Sequence, residues 1–487
     1  MGEKILVLDA GTTSTRAMVF SRDGQMERVA QAELTQHYPK PGWVEHDAAE
    51  IWDKTLSCMI EAVGEDAGSI AAIGITNQRE TVVAWDRNTG EPLARAIVWQ
   101  DRRTAEFCAG LKAYGHEPEV QRRTGLLLDP YFSGTKMRWM LDHDEAVRNA
   151  SESGTLAFGT VESWLVYKLS GGAHISDASN ASRTLLLALD GEQFDEALCE
   201  VFGVPKAALP QVVDTHGSLA SCDAQWLGVA IPICGLVGDQ QSATIGQGCL
   251  SFGETKATYG TGAFVLTNKG TALPHSENRL LGTVLHQSGG TRTYAVEGAC
   301  FVAGSLVQYL RDQLGLIGSA RETEALARSI EDSGEVVIVP ALAGLGAPHW
   351  KPDARGVISG LSFASGKAQI ARAALEAMAH QTHDLATAFA ADGAPWASLK
   401  IDGGMSANDW MAQDLANILD LEVERPDFVE TTALGAAICA SVGAGLYPDL
   451  EKAASAMRGA MRTFTPEMED DVRKDRLARY ARALSVA

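Results

Sequence analysis

A short apolar run at residues 5–8 stops at Asp9. A Gly-Thr-Thr turn follows, then a second run over residues 16–20 and an Asp23-Gly24 turn. The pattern predicts strand, polar turn and strand, closed by a hairpin. The same unit recurs near the middle of the chain: residues 255–259, Gly260-Thr261-Gly262, residues 263–267, then Asn268-Lys269-Gly270. Two such units suggest an internal duplication; the alternative is a pair of unrelated hairpins. Between them, residues 73–75 and 81–85 read as strands. Residues 231–237 form a continuous apolar run ending in Gly238-Asp239, which suits a strand buried on both faces with polar residues at its C-terminal end. Farther on, residues 368–390 read as a helix, with Ser365 as its N-terminal cap and Gly393 just past its end. Met411, Leu415, Ile418 and Leu419 share one helical face after Asp402-Gly403-Gly404. Residues 433–442 form a small-residue helix suited to close packing.

At 487 residues the chain exceeds one ordinary core. No Pro/Ser-rich linker divides it, so a boundary near Gly248 gives two α/β lobes, 1–247 and 248–487, packed around a cleft. Ligands of such folds sit at the C-terminal ends of strands. With 62 acidic and 41 basic residues the net charge is −21. That field repels nucleic acid and anionic lipid, which makes both poor partners, so no nucleic acid is expected, and any nucleotide triphosphate must be met by local donors and a metal ion. The N-terminus lacks the pattern of a secretion signal, no 18-residue apolar stretch occurs, and the eight cysteines include no C-x-x-C pair. The expectation is a cytoplasmic protein with reduced, buried cysteines and no membrane insertion.

Within this frame three loops suit phosphate or nucleotide. In Asp9-Ala10-Gly11-Thr12-Thr13-Ser14-Thr15-Arg16 a glycine admits close approach, backbone N–H groups and hydroxyls donate, Arg16 adds a cationic fork, and Asp9 could hold Mg²⁺ through water; an ordinary hydroxyl-rich hairpin would read the same way. Gly260-Thr261-Gly262 fits a partner phosphate loop. Asp402-Gly403-Gly404-Met405-Ser406-Ala407-Asn408 would let an adenine or ribose approach its backbone, though a Gly-Gly turn is weak by itself. On the acceptor side, Asn77-Gln78-Arg79-Glu80 could bind the hydroxyls of a polyol or form a surface ion pair. Trp99 and Tyr131 could cover a ligand or belong to the core. Asp239, at a strand end, suits a general base for a hydroxyl, with an Asx-turn or helix cap as the structural alternative.

These loops lie within longer stretches: LDAGTTSTRAMVF, GWVEHD, GITNQRETVVAWDRNTGEPLARAIVWQDRRT, PYFSGTKMRWML, SNASRTLL, GDQQSATIGQ, TYGTGAF, VPALAGLGAPHW, IDGGMSAND and ERPDFVETTALGAA. Through them nearly the whole chain resembles the FGGY carbohydrate kinases, and GITNQRET with IVWQDRRT resembles the glycerol-type branch. The resemblance implies an α/β fold of two duplicated actin/Hsp70-like (ribonuclease H-like) ATPase lobes with an interlobe cleft. It implies transfer of phosphate from ATP, with Mg²⁺, to glycerol. By the matching motifs, glycerol would be held by Arg79, Glu80, Trp99, Tyr131, Asp239, Gln240 and Phe264, with Asp239 as catalytic base. ATP phosphates would meet Thr12, Thr13, Ser14, Arg16 and Thr261, the nucleoside Gly304, Gln308, Gly404 and Asn408, and Mg²⁺ Asp9. Relatives form dimers or tetramers, so a homo-oligomer is expected.

The sequence departs from the family pattern at Ala178, where an aromatic is usual, and at Glu162, where Asp is usual. Leu227-Gly228-Val229-Ala230 replaces the Gly-Gly-Thr-Arg segment with which enteric-type relatives bind fructose 1,6-bisphosphate. Asp223-Ala224-Gln225-Trp226 lacks the phosphorylatable histidine of Gram-positive-type relatives. Neither control is expected. Competing readings are a kinase for another polyol or ketose such as erythritol or xylulose, an ATP-driven chaperone or cytoskeletal protein of the same superfold, and a catalytically dead regulator. The last would be expected to lose Asp9 or Asp239, and both are present.

Overall fold

The computed structural model describes residues 2–487 apart from Pro352 and Val429, the latter a member of the ERPDFVETTALGAA stretch. Two mixed sheets organise the chain. The first contains β1 (Lys4–Ala10), β2 (Ser14–Phe20), β3 (Met26–Glu33), β4 (Ile70–Asn77), β5 (His216–Cys222) and β6 (Ile231–Gly238), in the order β5-β6-β4-β1-β2-β3. The second contains β7 (Glu254–Tyr259), β8 (Ala263–Gly270), β9 (Leu281–Ser288), β10 (Thr291–Cys300), β11 (Ser398–Asp402), β12 (Val423–Pro426) and β13 (Met461–Phe464), in the order β9-β10-β8-β7-β11-β12-β13.

The pairing directions repeat between the sheets. Strands β3, β2 and β1 are antiparallel neighbours, β1, β4 and β6 run parallel, and β5 closes the edge antiparallel. Likewise β10, β8 and β7 are antiparallel, β7, β11 and β12 parallel, and β13 antiparallel, with β9 added outside β10. The two hairpins read from the sequence are therefore equivalent parts of a duplicated fold. Parallel strands are covered on both faces, and β1, β4 and β6 accordingly carry almost unbroken apolar runs.

One face of the first sheet packs on α1 (Ala48–Val63), which starts where Asp47 accepts hydrogen bonds from the N–H groups of Ala49 and Glu50. Two helices cover the other face: α2 (Asp239–Gly246), which follows β6 directly, and α6 (Thr431–Gly443), which comes from the far end of the chain. Before α6 in the chain lie α3 (Gly304–Asp312), α4 (Lys367–Ala391) and α5 (Asp409–Leu419), whose apolar faces join the core of the second sheet. The small residues of α6 explain its destination. A Cβ on Gly435 would lie 1.8 Å from the Ser242 carbonyl oxygen, and one on Gly74 of β4 would lie 2.5 Å from that of Ala436. Only glycine permits the helix to lie so close, and it crosses from the second half to lock onto the first.

Two local expectations change. Helix α4 is capped by Gly366, whose N–H donates to Gln369 Oε1 at 2.9 Å, while the Ser365 hydroxyl accepts from Ser362 N–H instead. Thr81 belongs to a turn, and the strand after it is Val83–Asp86. The helix over Met411, Leu415, Ile418 and Leu419 forms as expected, with the first three buried. Among the described residues no helix is long and apolar enough to cross a membrane.

Candidate active site

The parallel register brings three polar turns to one end of the first sheet. Ala10 of β1 pairs with Asn77 of β4, and Asn77 pairs with Gly238 of β6. The segments that succeed these strands, Gly11-Thr12-Thr13, Gln78-Arg79-Glu80 and Asp239-Gln240, therefore emerge side by side. In the second sheet the same geometry pairs Thr258 with Asp402 and juxtaposes Gly260-Thr261 with Gly403-Gly404.

In the first hairpin the register sets Asp9 across from Arg16, and Arg16 donates to Asp9 Oδ2 at 2.5 Å and to Glu430 Oε2 at 2.6 Å. Asp9 is buried, and desolvation raises its carboxyl above the usual range against the pull of Arg16. Gly11 N–H donates to Ser14 O at 3.0 Å, closing the tight turn that leaves Thr13 exposed. Trp99 Nε1–H donates to Thr12 Oγ1 at 2.9 Å, tying this loop to the acceptor side.

Arg79 is the hub of the acceptor cluster. Its Nε lies 3.1 Å from Asp239 Oδ1, Nη1 donates to Glu297 Oε2 at 2.7 Å, and Nη2 reaches Tyr131 Oη at 3.4 Å. Glu80 sits at φ 62°, a left-handed conformation unusual outside glycine, within a turn in which Thr81 N–H donates to Arg79 O. Its carboxylate accepts from Arg183 Nε at 2.6 Å, and its carbonyl accepts from the Ser133 hydroxyl at 3.1 Å. Tyr131 and Trp99 meet edge to face with ring centres 5.7 Å apart. Lys136 Nζ donates to the carbonyls of Pro130, Tyr131 and Phe132, which fixes the segment carrying Tyr131.

Asp239 is the first residue of α2, and Gly238 is the cap, so its carboxylate is not consumed as a helix cap; Oδ1 accepts from Gln240 N–H at 2.6 Å. Burial pushes its carboxyl up to about 6, with Arg79 pulling down and Glu80 pushing up. About a third of the side chain (32 %) still reaches solvent, so this carboxylate is both poised and open to a ligand. Gln240 Oε1 accepts from Lys256 Nζ at 2.7 Å. Phe264, half-buried on β8, pairs across to Thr258 and Ala299.

At the end of the second sheet a cavity of about 220 Å³ is lined by Gly260, Thr261, Gly304, Gln308, Gly404 and Met405, among others. Gly403 has φ 86°, and a Cβ there would lie 2.5 Å from Tyr259 O; a Cβ on Gly304 would lie 2.6 Å from Gly260 O. Both glycines keep the walls of the cavity together. Asn408 lies outside this lining: its Oδ1 caps α5 on Met411 N–H and its Nδ2 donates to Thr323 Oγ1.

The structure adds charged residues that motif reading passed over: Lys256, Glu297 and Arg183. The first two are charged side chains buried on β7 and β10, where a charge persists only with a partner. Arg183 stands within the SNASRTLL stretch without a role read from it.

The two departures from the family pattern are also buried. Ala178 begins a short helix capped by Asp177. Glu162 accepts from Asn77 Nδ2 at 3.0 Å, Thr160 Oγ1 at 2.7 Å and Ser176 Oγ at 2.6 Å, behind the Arg79 turn. Burial raises its carboxyl to about 7 despite these donors. A folded-state value above the unfolded one is stability present at low pH and lost as pH rises through about 7. Glu162→Gln is therefore expected to be more stable than the wild type at pH 8, by up to about 3 kcal/mol, and close to it at pH 5. Thermal unfolding at the two pH values checks this; an equal difference at both would show that Glu162 does not titrate in this range.

Comparison with known proteins agrees with this architecture. The N-terminal domain of the FGGY family of carbohydrate kinases matches residues 4–246, and the C-terminal domain of that family matches residues 255–444. The chain is 51 % identical over 489 residues to the glycerol kinase of Rhodospirillum rubrum, covering 99 % of this chain and 98 % of that one. It is 50 % identical over 495 residues to the glycerol kinase of Methylobacterium nodulans, with the same coverage. Among solved structures, Plasmodium falciparum glycerol kinase with ADP superposes with a TM-score of 0.95 at 33 % identity, covering 100 % of this chain and 98 % of that one. Gluconate kinase from Lactobacillus acidophilus, at 20 % identity, covers 99 % and 96 % with a TM-score of 0.87 and shares the fold.

Proposed function

The chain belongs to the FGGY family of carbohydrate kinases, and from that premise we propose that it phosphorylates glycerol with ATP, giving sn-glycerol 3-phosphate, with Asp239 as the general base. The observation that carries the reading is the Arg79–Asp239 contact of 3.1 Å at the C-terminal end of the parallel strands. It puts a cationic donor and a poised acceptor where one hydroxyl of a small polyol would meet both. Relatives at about this level of identity are glycerol kinases along their whole length, which supports glycerol over a longer acceptor.

Phosphoryl transfer needs positioning and charge stabilisation more than covalent help. Arg79 and Glu80 bind the hydroxyls, Trp99, Tyr131 and Phe264 cover the carbons, and Gln240 lies beside the base. Asp239 takes the proton of the attacking hydroxyl. Backbone N–H groups of Thr12, Thr13 and Ser14, with Arg16 and Thr261, meet the phosphates. Gly304, Gln308 and Gly404 line the nucleoside cavity, with Asn408 at its margin.

Among the described residues no three acidic, histidine or cysteine side chains gather as a metal cage. The single carboxylate of Asp9, already paired with Arg16, fits a Mg²⁺ that arrives on ATP and keeps its waters. When bound, that ion screens the negative charge of the phosphates. We assign residues 1–247 and 248–487 as lobes that close over the reactants and exclude water, with α6 bridging them.

Coupled ADP release with glycerol, erythritol, xylulose and dihydroxyacetone tests the acceptor. Glycerol should give the highest kcat/KM, by about tenfold or more, a margin that a pocket contacting each hydroxyl supplies. A better rate with another polyol would overturn the assignment of the acceptor pocket.

A further inference from the structure

We propose that Glu297 is a positioning residue for the acceptor site, holding the guanidinium of Arg79 in the plane from which it serves the acceptor and keeping it from closing on Asp239 with both arms. This rests on the reading of Arg79 and Glu80 as acceptor-binding groups and of Asp239 as base.

Glu297 lies on β10, between β8 and β9, where it pairs with Leu266 and Leu281. It is 1 % exposed and touches no solvent-facing function of its own. Its carboxylate takes the outer fork of Arg79 from both arms, at 2.7 Å from Nη1 and 3.3 Å from Nη2. A fork held in this way fixes the plane of the guanidinium. Only the side nitrogen Nε is then left for Asp239, and Nη2 turns its remaining reach to Tyr131. Arg183, fully buried, shares Glu297 Oε1 at 3.3 Å and holds Glu80 at 2.6 Å. One carboxylate from the second half of the chain thus sets, directly or through Arg183, the groups that the first half presents to the acceptor.

Without that carboxylate the fork of Arg79 would be free to engage Asp239 by two arms. An arginine so engaged stabilises the ionised base and weakens it as a proton acceptor. The ionisable groups facing Asp239 are Arg79 and Glu80 from the turn after β4 and Lys256 from β7. Helix α6, packed along α2, contains no charged residue, and Glu430 at its cap is paired with Arg16. Lys269 of β8 reaches the carbonyl of Asp392 instead. Glu297 is therefore the carboxylate whose loss changes how Arg79 bears on Asp239.

The test uses the full-length chain as Glu297→Asp and Glu297→Gln, with Asp239→Asn alongside. Withdrawing the carboxylate in Glu297→Asp should raise the KM for glycerol about tenfold, since a small misplacement of a positioning group costs this much or more. ADP affinity should stay at the wild-type value. In Glu297→Gln the acid limb of kcat/KM should move to lower pH by about half a unit or more, with kcat reduced. A merely structural ion pair would lower the melting temperature and weaken ADP and glycerol together without moving the limb, and that result overturns the proposal. If Glu297→Gln does not fold, a wild-type glycerol KM in Glu297→Asp overturns it alone. Full activity of Asp239→Asn would instead defeat the assignment of the base, and the glycerol KM of the Glu297 variants would still report on the acceptor site.

Discussion

Asp239→Asn should lower kcat by about 10²-fold or more, the range by which a positioned general base accelerates proton transfer. Asparagine preserves the local structure, because its Oδ1 still accepts from Gln240 N–H and Gly238 remains the cap of α2. The substitution removes the capacity to take a proton. Glycerol KM should change less than kcat, since Arg79 and Glu80 remain. The pH profile provides a second check with a defined sign. A general base works only as the carboxylate, and burial pushes that of Asp239 up to about 6 against the pull of Arg79. Wild-type kcat/KM should therefore fall as pH drops through about 6, and that limb should be missing from the residual activity of the variant. Steady-state rates from pH 5 to 8 decide the matter; a variant with a near wild-type rate excludes Asp239 as base.

The candidate site was legible in the sequence wherever its residues sit at the ends of local elements. Asp9 and Arg16 are seven residues apart and face each other because a two-stranded hairpin must pair them. Asp239 follows an apolar run that reads as a buried strand, and Gly403-Gly404 form the turn from the strand Ser398–Asp402 toward a helix. Those signals are local, and so they survive in one dimension. The partners of Arg79 are different in kind. Glu297 is 218 residues away on the second sheet, and Arg183, which holds Glu80, is 103 residues from it, so both contacts exist only in the folded chain and the first only after the two sheets have docked. In sequence Arg79-Glu80 reads as a polyol-binding cluster or a surface ion pair, whereas in the structure each finds its main charged partner elsewhere: their own separation is 3.9 Å, against 2.7 Å and 2.6 Å to Glu297 and Arg183. Helix α6 shows the same limit. Its small residues announced close packing, but nothing in its composition says that the surface it meets belongs to the other half of the chain.

The largest stability effect should come from Arg79→Met. Arg79 is 2 % exposed, and its removal leaves Glu297 and Glu80 in the interior, and Asp239 at the cleft beside them, with Arg183 and Lys256 to offset them. Breaking a buried ion pair from one side costs about 3–5 kcal/mol, because the remaining charge keeps its desolvation penalty and loses its compensation. Burial would raise the carboxyl of Glu297, but Arg183 and Arg79 together hold it down at about 2. The folded value thus lies below the unfolded one, so this pairing contributes stability above the unfolded pKa and loses it as pH falls toward 2. In Arg79→Met much of that contribution is gone. The gap in melting temperature between variant and wild type should be widest near neutral pH and should narrow below about pH 4, where the wild type surrenders the same interaction. Removing the orphaned partner as well should restore part of the loss: Arg79→Met/Glu297→Met replaces both ends of the pair by apolar groups and leaves Arg183 to Glu80. Chemical denaturation of the wild type, the single variant and the double variant at about pH 7 and about pH 3 separates charge from packing. A double variant no more stable than Arg79→Met, or a gap independent of pH, would mean that the arginine stabilises the fold through its packed stem. Neither variant should bind glycerol measurably if Arg79 orients the acceptor against Asp239 as proposed, because that guanidinium is absent from both.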